Sequence, residues 1–390
     1  MRTMVGVVAW IAVIFALGTP AGHAREPDGM SFDGPSGELK ATTIVATLDA
    51  VIPPRRNAVW TASFLSAWKA IQGSLNDGSV ILDPESAFGT SLIRSPDPTL
   101  HVPSSALYAA SGRPADGIVA RIQSEMGRRV PAKAPPEFEN LWPDALVAYA
   151  YLEAGIQFPQ PYIRSQSAHT FKDASGKQTP IRTFGLPPAE HFHPSLLEQP
   201  RILFAGSARG RRGKGPGPNP GAVPATFAID LDAGSTPSQI IVARIPRQPT
   251  LAAAFKHVEH EIAAQASLKD DPDNPSRLRS GDVLLVPKML WQISHRFREL
   301  EGTSLTNGKF GGQRIAVAKQ DLRFRLDRYG AELVAESRIF SLGGGRWSSP
   351  RRFVLDGPFL VYMKQRGAPL PFFAMWVDNA ELLQPWRGSQ

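Results

Sequence analysis

The sequence contains no cysteine among its 390 residues. Disulfide bonds and thiolate metal sites are therefore excluded, and the fold has to depend on a hydrophobic core. A chain of this length with 42% hydrophobic residues can bury such a core. After the first 25 residues the sequence also lacks any apolar run long enough to cross a bilayer, so we expect no transmembrane span there.

The one long apolar run lies near the amino terminus, from Val5 to Leu17. It follows the positive charge of Arg2 and precedes a series of small residues that ends at Ala24. This order predicts a secretory signal peptide over residues 1–24, and an uncleaved membrane anchor is the alternative. A polar N-terminal segment, residues 25–44, follows. The mature protein is expected to be secreted or extracytoplasmic, in the periplasm or outside the cell.

The formal net charge is +8, which favours weak contact with anionic surfaces and predicts no specific nucleic-acid partner. Much of the positive charge lies in the Gly- and Pro-rich segment 207–221, in the side chains of Arg209, Arg211, Arg212 and Lys214. A segment of that composition cannot build a core and is expected to be a surface loop. It is interpreted either as a weak polyanion contact or as a solvated loop without a partner.

Motifs of common enzymes are absent from the sequence. It has no Gly-x-Ser-x-Gly elbow, no phosphate-binding loop and no dinucleotide fingerprint. Two histidine groups are compatible with zinc, namely Glu190 with His191 and His193, and His257 with His260 three residues apart on a helix. The alternative is that they are solvated side chains, and we predict no metal, no cofactor and no enzymatic activity.

Short strand patterns and helix patterns alternate irregularly along the chain, which predicts the α+β class with largely antiparallel sheets. Helices are expected at 38–52, after a short strand that begins at Asn57, at 117–128, and at 250–265 behind a threonine cap. The stretch 144–158 is apolar on both faces, as in a central strand. The segment "FVLDGPFLVYMKQRGAPLPFFAMWVDN", 353–379, predicts two buried strands with a turn at Lys364 to Gly367.

Several of these segments, taken in order, resemble the motifs of one family, the serpins. They are "NAVWTASFLSAW" (57–68), "ALVAYAYLEAG" (145–155), "TFAIDLDAGSTPSQIIVARIPRQPTL" (226–251), "DVLLVPKMLWQISHRFREL" (282–300), "RFRLDRYGAEL" (323–333) and the hairpin at 353–379. The resemblance implies a serpin-like single domain over residues 45–386, with three mainly antiparallel β-sheets and surrounding helices. It places the terminal hairpin at the centre of one sheet.

The resemblance also implies a reactive loop at 331–352, with Gly330, Ala331 and Leu333 at its hinge. In serpin inhibitors a protease cleaves this loop, which then inserts into the large sheet as a new strand and traps the acyl-enzyme. Arg346 and Trp347 lie near where the scissile bond is expected, so the implied partner is a secreted serine protease of trypsin-like specificity. A monomer is expected.

The segment departs from the inhibitory pattern at several positions. The usual acidic pair before the hinge glycine is Arg328-Tyr329, and the usual Ser-Pro of the first motif is Thr61-Ala62. Leu333 stands where a small residue is expected, and overpacking of this kind costs roughly 1–3 kcal/mol. These departures favour an alternative, a non-inhibitory serpin-fold binding protein whose loop does not insert.

Overall fold

The fold is seen in a computed structural model. It describes residues 8–16, of which the backbone alone is considered, and 39–75, 80–129, 136, 138, 141–188, 194–206, 224–235, 237–266, 276–331 and 350–388. The strands are β1 Val8–Ala16, β2 Thr42–Ile44, β3 Asn57–Thr61, β4 Leu82–Asp83, β5 Leu107–Gly112, β6 Val147–Leu152, β7 Ile156–Gln157, β8 Ile163–Arg164, β9 His169–Lys172, β10 Gln178–Ile181, β11 Thr183–Leu186, β12 Arg201–Gly206, β13 Thr226–Asp230, β14 Ser238–Arg244, β15 Val283–Pro287, β16 Met289–Arg296, β17 Ser304–Leu305, β18 Arg314–Leu326, β19 Gly330–Ala331, β20 Arg352–Val354, β21 Phe359–Gln365 and β22 Phe373–Val377.

The α-helices in these ranges are α1 Ala62–Gly73, α2 Ala87–Arg94, α3 Ile118–Arg129, α4 Pro194–Glu198 and α5 Leu251–Ala266. Short 3-10 turns lie at Pro98–His101, Pro114–Asp116, Gly308–Phe310 and Ala380–Leu382. This mixture of helices and strands confirms the predicted α+β class.

Three larger sheets organise the described part of the chain, as predicted. The first sheet has seven strands in the order β4-β17-β18-β1-β6-β5, with β16 also pairing with β18. The second sheet has seven strands in the order β12-β13-β14-β21-β22-β3-β2, and the third has four in the order β20-β15-β11-β8. Two-stranded pairs, β9 with β10 and β7 with β19, complete the list. Pairing is mainly antiparallel, but β1 runs parallel to both of its neighbours.

The hairpin of β21 and β22 lies at the centre of the second sheet, as predicted. β21 pairs with β14 and β22 pairs with β3, and all five residues of β22 are buried. Both faces of these strands are covered, which explains their nearly continuous apolar sequence. The predicted turn at Lys364 to Gly367 is wrong in its bounds, because β21 continues to Gln365 and the connection runs to residue 372. Lys364 pairs with Gln239 of β14, and its ammonium donates to Glu259 of α5 at 2.7 Å.

Most of the other predicted elements are present. α5 begins behind Thr250, whose hydroxyl accepts from the Ala253 amide at 3.0 Å, as the threonine cap predicts. β3 begins at Asn57 and α1 follows directly after it, as predicted. α3 matches the helix predicted at 117–128. The helix predicted at 38–52 is wrong: Thr42 to Ile44 instead pair with β3 as a parallel edge strand. β-branched side chains at successive positions there favour a strand once a partner strand is available.

Candidate functional site

The candidate site is the region where the first sheet meets the start of the predicted reactive loop. β18 carries the chain for 13 residues along the sheet and ends at Leu326. Its side chains alternate, with Ile315, Leu322 and Phe324 among those in the core and charged residues on the other face. After β18 the chain turns back at Asp327 to Gly330, so this turn decides where the loop begins.

Two backbone hydrogen bonds close the turn, between the amide and carbonyl of Asp327 and those of Gly330, both at 3.1 Å. The buried Asp327 carboxylate accepts from the Tyr329 amide at 3.0 Å and from the Arg325 guanidinium at 2.9 Å. The Arg328 guanidinium lies 4.3 Å from the centre of the Tyr329 ring. The Arg328-Tyr329 pair that replaces the expected acidic pair thus forms a cation–π contact in the hinge.

Gly330 is required in this turn. Its φ is +123°, and a Cβ at this position would lie 2.1 Å from the Ile156 carbonyl oxygen. β19 pairs with β7 in antiparallel register, Gly330 with Gln157 and Ala331 with Ile156. The predicted hinge residues Gly330 and Ala331 therefore form a separate two-stranded pair with β7, which lies just after β6 in the chain.

Residues just after β7 hold the other side of the turn. The Phe158 amide donates to the Tyr329 carbonyl at 3.0 Å, and the Tyr162 amide donates to the Arg328 carbonyl at 2.8 Å. Lys288 is part of the electrostatic surroundings of this turn: burial lowers the pKa of its ammonium group, and the Asp327 charge opposes that effect. The hinge is thus fixed by backbone contacts from one side and by a carboxylate from the other.

The far end of the predicted loop is fixed in the third sheet. β20 runs parallel to β15, and the Asp282 carboxylate accepts from the Arg351 amide at 2.8 Å and from its guanidinium at 2.6 Å. The same carboxylate accepts from the Arg279 amide at 2.8 Å. Asp282 is buried, so this ion pair forms an anchor with several hydrogen bonds. Residues 331 and 350 thus border the predicted loop at the β7–β19 pair and at the start of the third sheet.

The middle of the first sheet contains the feature that sequence reasoning missed. β6 and β18 do not pair with each other; β1 lies between them and pairs with both. We call the space between β6 and β18 the central slot. Every residue of β6 is buried, and its alternate side chains face the main core and a smaller cluster beneath α3.

A buried polar cluster lies behind the central slot. The Gln320 side chain of β18 donates to the Thr61 hydroxyl at 2.7 Å and to the Ser63 hydroxyl at 3.1 Å. The Gln320 side-chain oxygen is buried and has no hydrogen-bond partner among the described residues. In the sequence Thr61 is only a departure from a motif, whereas Gln320 shares the alternation of the buried Leu322 and Phe324 and so has the parity of an inward position. These hydrogen bonds connect β18 of the first sheet to the end of β3 and the start of α1.

Several predicted site residues lie outside the described residues. These are Leu333, Arg346 and Trp347 of the predicted loop, the basic residues Arg209, Arg211, Arg212 and Lys214, and the histidines His191 and His193. His257 and His260 lie on α5, and the described part of the chain contains no group of three or more His, Asp or Glu side chains that could hold a metal ion. None of the helices in the described ranges is long and apolar enough to cross a membrane.

No known family model matches the sequence, and no curated protein sequence matches it. Solved structures do match. The native state of tengpin, a thermophilic serpin, is 10% identical over 84% of this chain and 90% of its own, with a TM-score of 0.45. Serpin48, a highly specific serpin of the insect Tenebrio molitor, is 11% identical over 83% and 92%, with a TM-score of 0.44. Human thyroxine-binding globulin in complex with thyroxine is 12% identical over 84% and 92%, with a TM-score of 0.44.

Proposed function

We propose that the protein is a secreted, serpin-like inhibitor of a trypsin-like serine endopeptidase. One observation carries the proposal: the first sheet admits an additional strand between β6 and β18, and the predicted hinge residues pair with β7, which follows β6 in the chain. A loop held at both ends, by the Asp327 turn and by the Arg351–Asp282 anchor, can be presented to a protease. The function needs no catalytic residue of the protein's own.

The proposed sequence of events begins with attack of the protease's serine on the carbonyl carbon of Arg346. The peptide bond to Trp347 breaks, an ester forms between Arg346 and the protease, and the new amine of Trp347 stays with the part of the chain anchored through β20. The freed segment after Ala331 then enters the first sheet antiparallel to β6. Completion of the sheet's hydrogen bonds supplies the free energy that distorts the protease before water cleaves the ester.

The alternative is a serpin-fold binding protein whose loop does not insert. Two observations favour it: the bulky Leu333 at the expected small position, and the presence of β1 in the central slot. The protein would then present the loop or another surface to a ligand without trapping a protease.

A denaturing gel separates the two functions. Chain lacking residues 1–24 is mixed with trypsin, and a band at the summed mass that survives detergent is expected. Arg346→Ala should remove this band, whereas the matched variant Arg338→Ala, in the same segment, should retain it. Cleavage at Arg346 without the band would reject inhibition and leave the binding protein.

Insertion of the loop is tested by placing a charge at alternate positions of the segment that follows Ala331. Leu333 has the parity of an inward position, and Val334 has the outward one. Leu333→Arg should convert the inhibitor to a substrate, because insertion would bury a charge. The matched variant Val334→Arg places the same charge outside and should still trap the protease. Equal trapping by both variants would show that the loop does not insert.

A further inference from the structure

The central slot is filled by a segment that the sequence assigns to the signal peptide. All nine residues of β1 have a register partner on β18, from Val8 with Arg314 to Ala16 with Arg323. Six of them also pair with β6, from Trp10 with Val147 to Phe15 with Leu152. The other edge of β6 pairs with β5, and the other edge of β18 pairs with β16. β1 therefore pairs with the edges of β6 and β18 that face each other.

The composition of the segment suits this position. A strand between two buried parallel neighbours is covered on both faces and is typically a continuous apolar run. Residues 8–16 read VAWIAVIFA and carry no charge. With β1 in place, the facing edges of β6 and β18 both have backbone partners in the middle of the sheet, as buried backbone requires. The slot therefore selects an extended, uncharged, apolar segment.

The register shows that this segment and the loop would compete. β19 is antiparallel to β7, with Ala331 opposite Ile156. Continued along β6, that register would place residues 335–340 opposite Leu152 to Val147. Those six residues of β6 are the ones that pair with β1. Because both segments would pair with the same residues of β6, only one of them can occupy the central slot.

From these observations we infer that residues 8–16 act as an internal plug of the central slot in the uncleaved chain, and that removing them opens the slot to another strand. The second half of this inference, that the loop is the strand which enters, rests on the proposed inhibitory function. Signal removal would then be the step that arms the inhibitor. The plug itself is a property of the sheet and is tested independently of any protease.

The absence of cysteine makes the test direct, because two introduced cysteines are the only thiols in the chain. Two pairs lie in register, Val13→Cys with Ala150→Cys and Ile11→Cys with Ala148→Cys. The exchanged pairs, Val13→Cys with Ala148→Cys and Ile11→Cys with Ala150→Cys, use the same four substitutions two residues out of register. This offset adds roughly 6–7 Å along the strand, beyond the reach of a disulfide.

The full chain with residues 1–24 retained is oxidised under native conditions at low concentration, and its free thiols are then counted by alkylation and mass spectrometry. The in-register pairs should lose both thiols, and the exchanged pairs should keep them. Four reduced pairs, or four pairs oxidised to the same extent, would overturn the plug. If substitutions in β6 prevent folding, as seen by circular dichroism, Ile11→Cys with Ala318→Cys tests the other wall of the slot in the same way.

The functional half is tested on the same molecule. A specific protease site inserted after Ala24 allows the segment to be cut from the folded chain. The cut chain should form the detergent-stable band with trypsin, and the oxidised in-register chain should be cleaved without forming it. A locked chain that traps trypsin as well as the cut chain would overturn the competition. If neither traps trypsin while the in-register pairs cross-link, the inhibitory function fails and the plug stands.

Discussion

At the scale of single residues, the hinge requires a glycine at position 330. Gly330 combines a left-handed φ with a backbone approach that leaves no room for a side chain. Both constraints come from the pairing of β19 with β7. A residue with a Cβ can be accommodated only if that pairing is lost.

Gly330→Ala should therefore destabilise the hinge by about 1–3 kcal/mol, from backbone strain and the loss of pairing with Gln157. The measurement is the free energy of unfolding in urea. The matched control is Gly367→Ala, which has a φ of +80° but nothing within 4 Å of the added Cβ, so it tests the left-handed backbone alone. Equal losses in the two variants would mean that the contact with Ile156 does not matter.

At the scale of elements, both ends of the predicted loop combine backbone pairing with a buried carboxylate. The hinge pairs with β7 and is bound by Asp327, and the exit into β20 pairs with β15 and is bound by Asp282. Removing one partner of a buried ion pair costs more than the pair contributes, because the remaining group loses its partner in a poorly solvated place.

Asp282→Ala should cost about 2–4 kcal/mol in unfolding free energy, since the Arg351 and Arg279 groups that it binds are left without their acceptor. Urea denaturation measures the loss. The control is Asp116→Ala, which breaks an exposed pair with Arg113 and should cost under about 1 kcal/mol. A loss at Asp282 no larger than the control's would show that the third sheet holds the loop without this anchor.

The sequence predicts those elements whose structure is determined by residues close together in the chain. The hairpin of β21 and β22 and the threonine cap of α5 follow from apolar runs and one side chain, and both are confirmed. The apolar spacing of residues 38–52 fits a helix, but that prediction is wrong because residues 42–44 pair with β3 as a strand. The Gln320 cluster and the central slot depend on residues far apart in sequence, so no local pattern contained them.

At the scale of the whole molecule, buried charges make stability depend on pH. Asp230 at the end of β13 accepts from the Arg366 guanidinium at 2.9 Å, in the connection of the hairpin. Burial nevertheless raises the pKa of Asp230 to about 6, with Arg366 acting in the opposite direction. The folded protein thus binds a proton at Asp230 more readily than the unfolded chain does. The stabilisation from this protonation is complete below the pKa of the unfolded chain, and it is lost as the pH rises through about 6.

Relative to Asp230→Asn, the natural protein should therefore gain stability as the pH falls from 7 to 4. The measurement is the free energy of unfolding of both proteins across that range, with the difference between them plotted against pH. Asp321→Asn, a substitution in the more exposed pair with Lys319, is the control for general charge effects. A difference that stays constant, or that grows in the natural protein's favour above pH 6, would show that Asp230 is ionised throughout.

The position of the hairpin in the chain has a consequence for biosynthesis. β3 and β14 lie early and midway in the sequence, but in the second sheet they are joined only through β22 and β21, whose residues are made last of these four strands. While the ribosome is still adding the residues before Phe359, the strands that will flank the hairpin have open edges, and the sheet cannot close. Until β22 has been made, the nascent chain therefore exposes unpaired strand edges of the kind that favour aggregation.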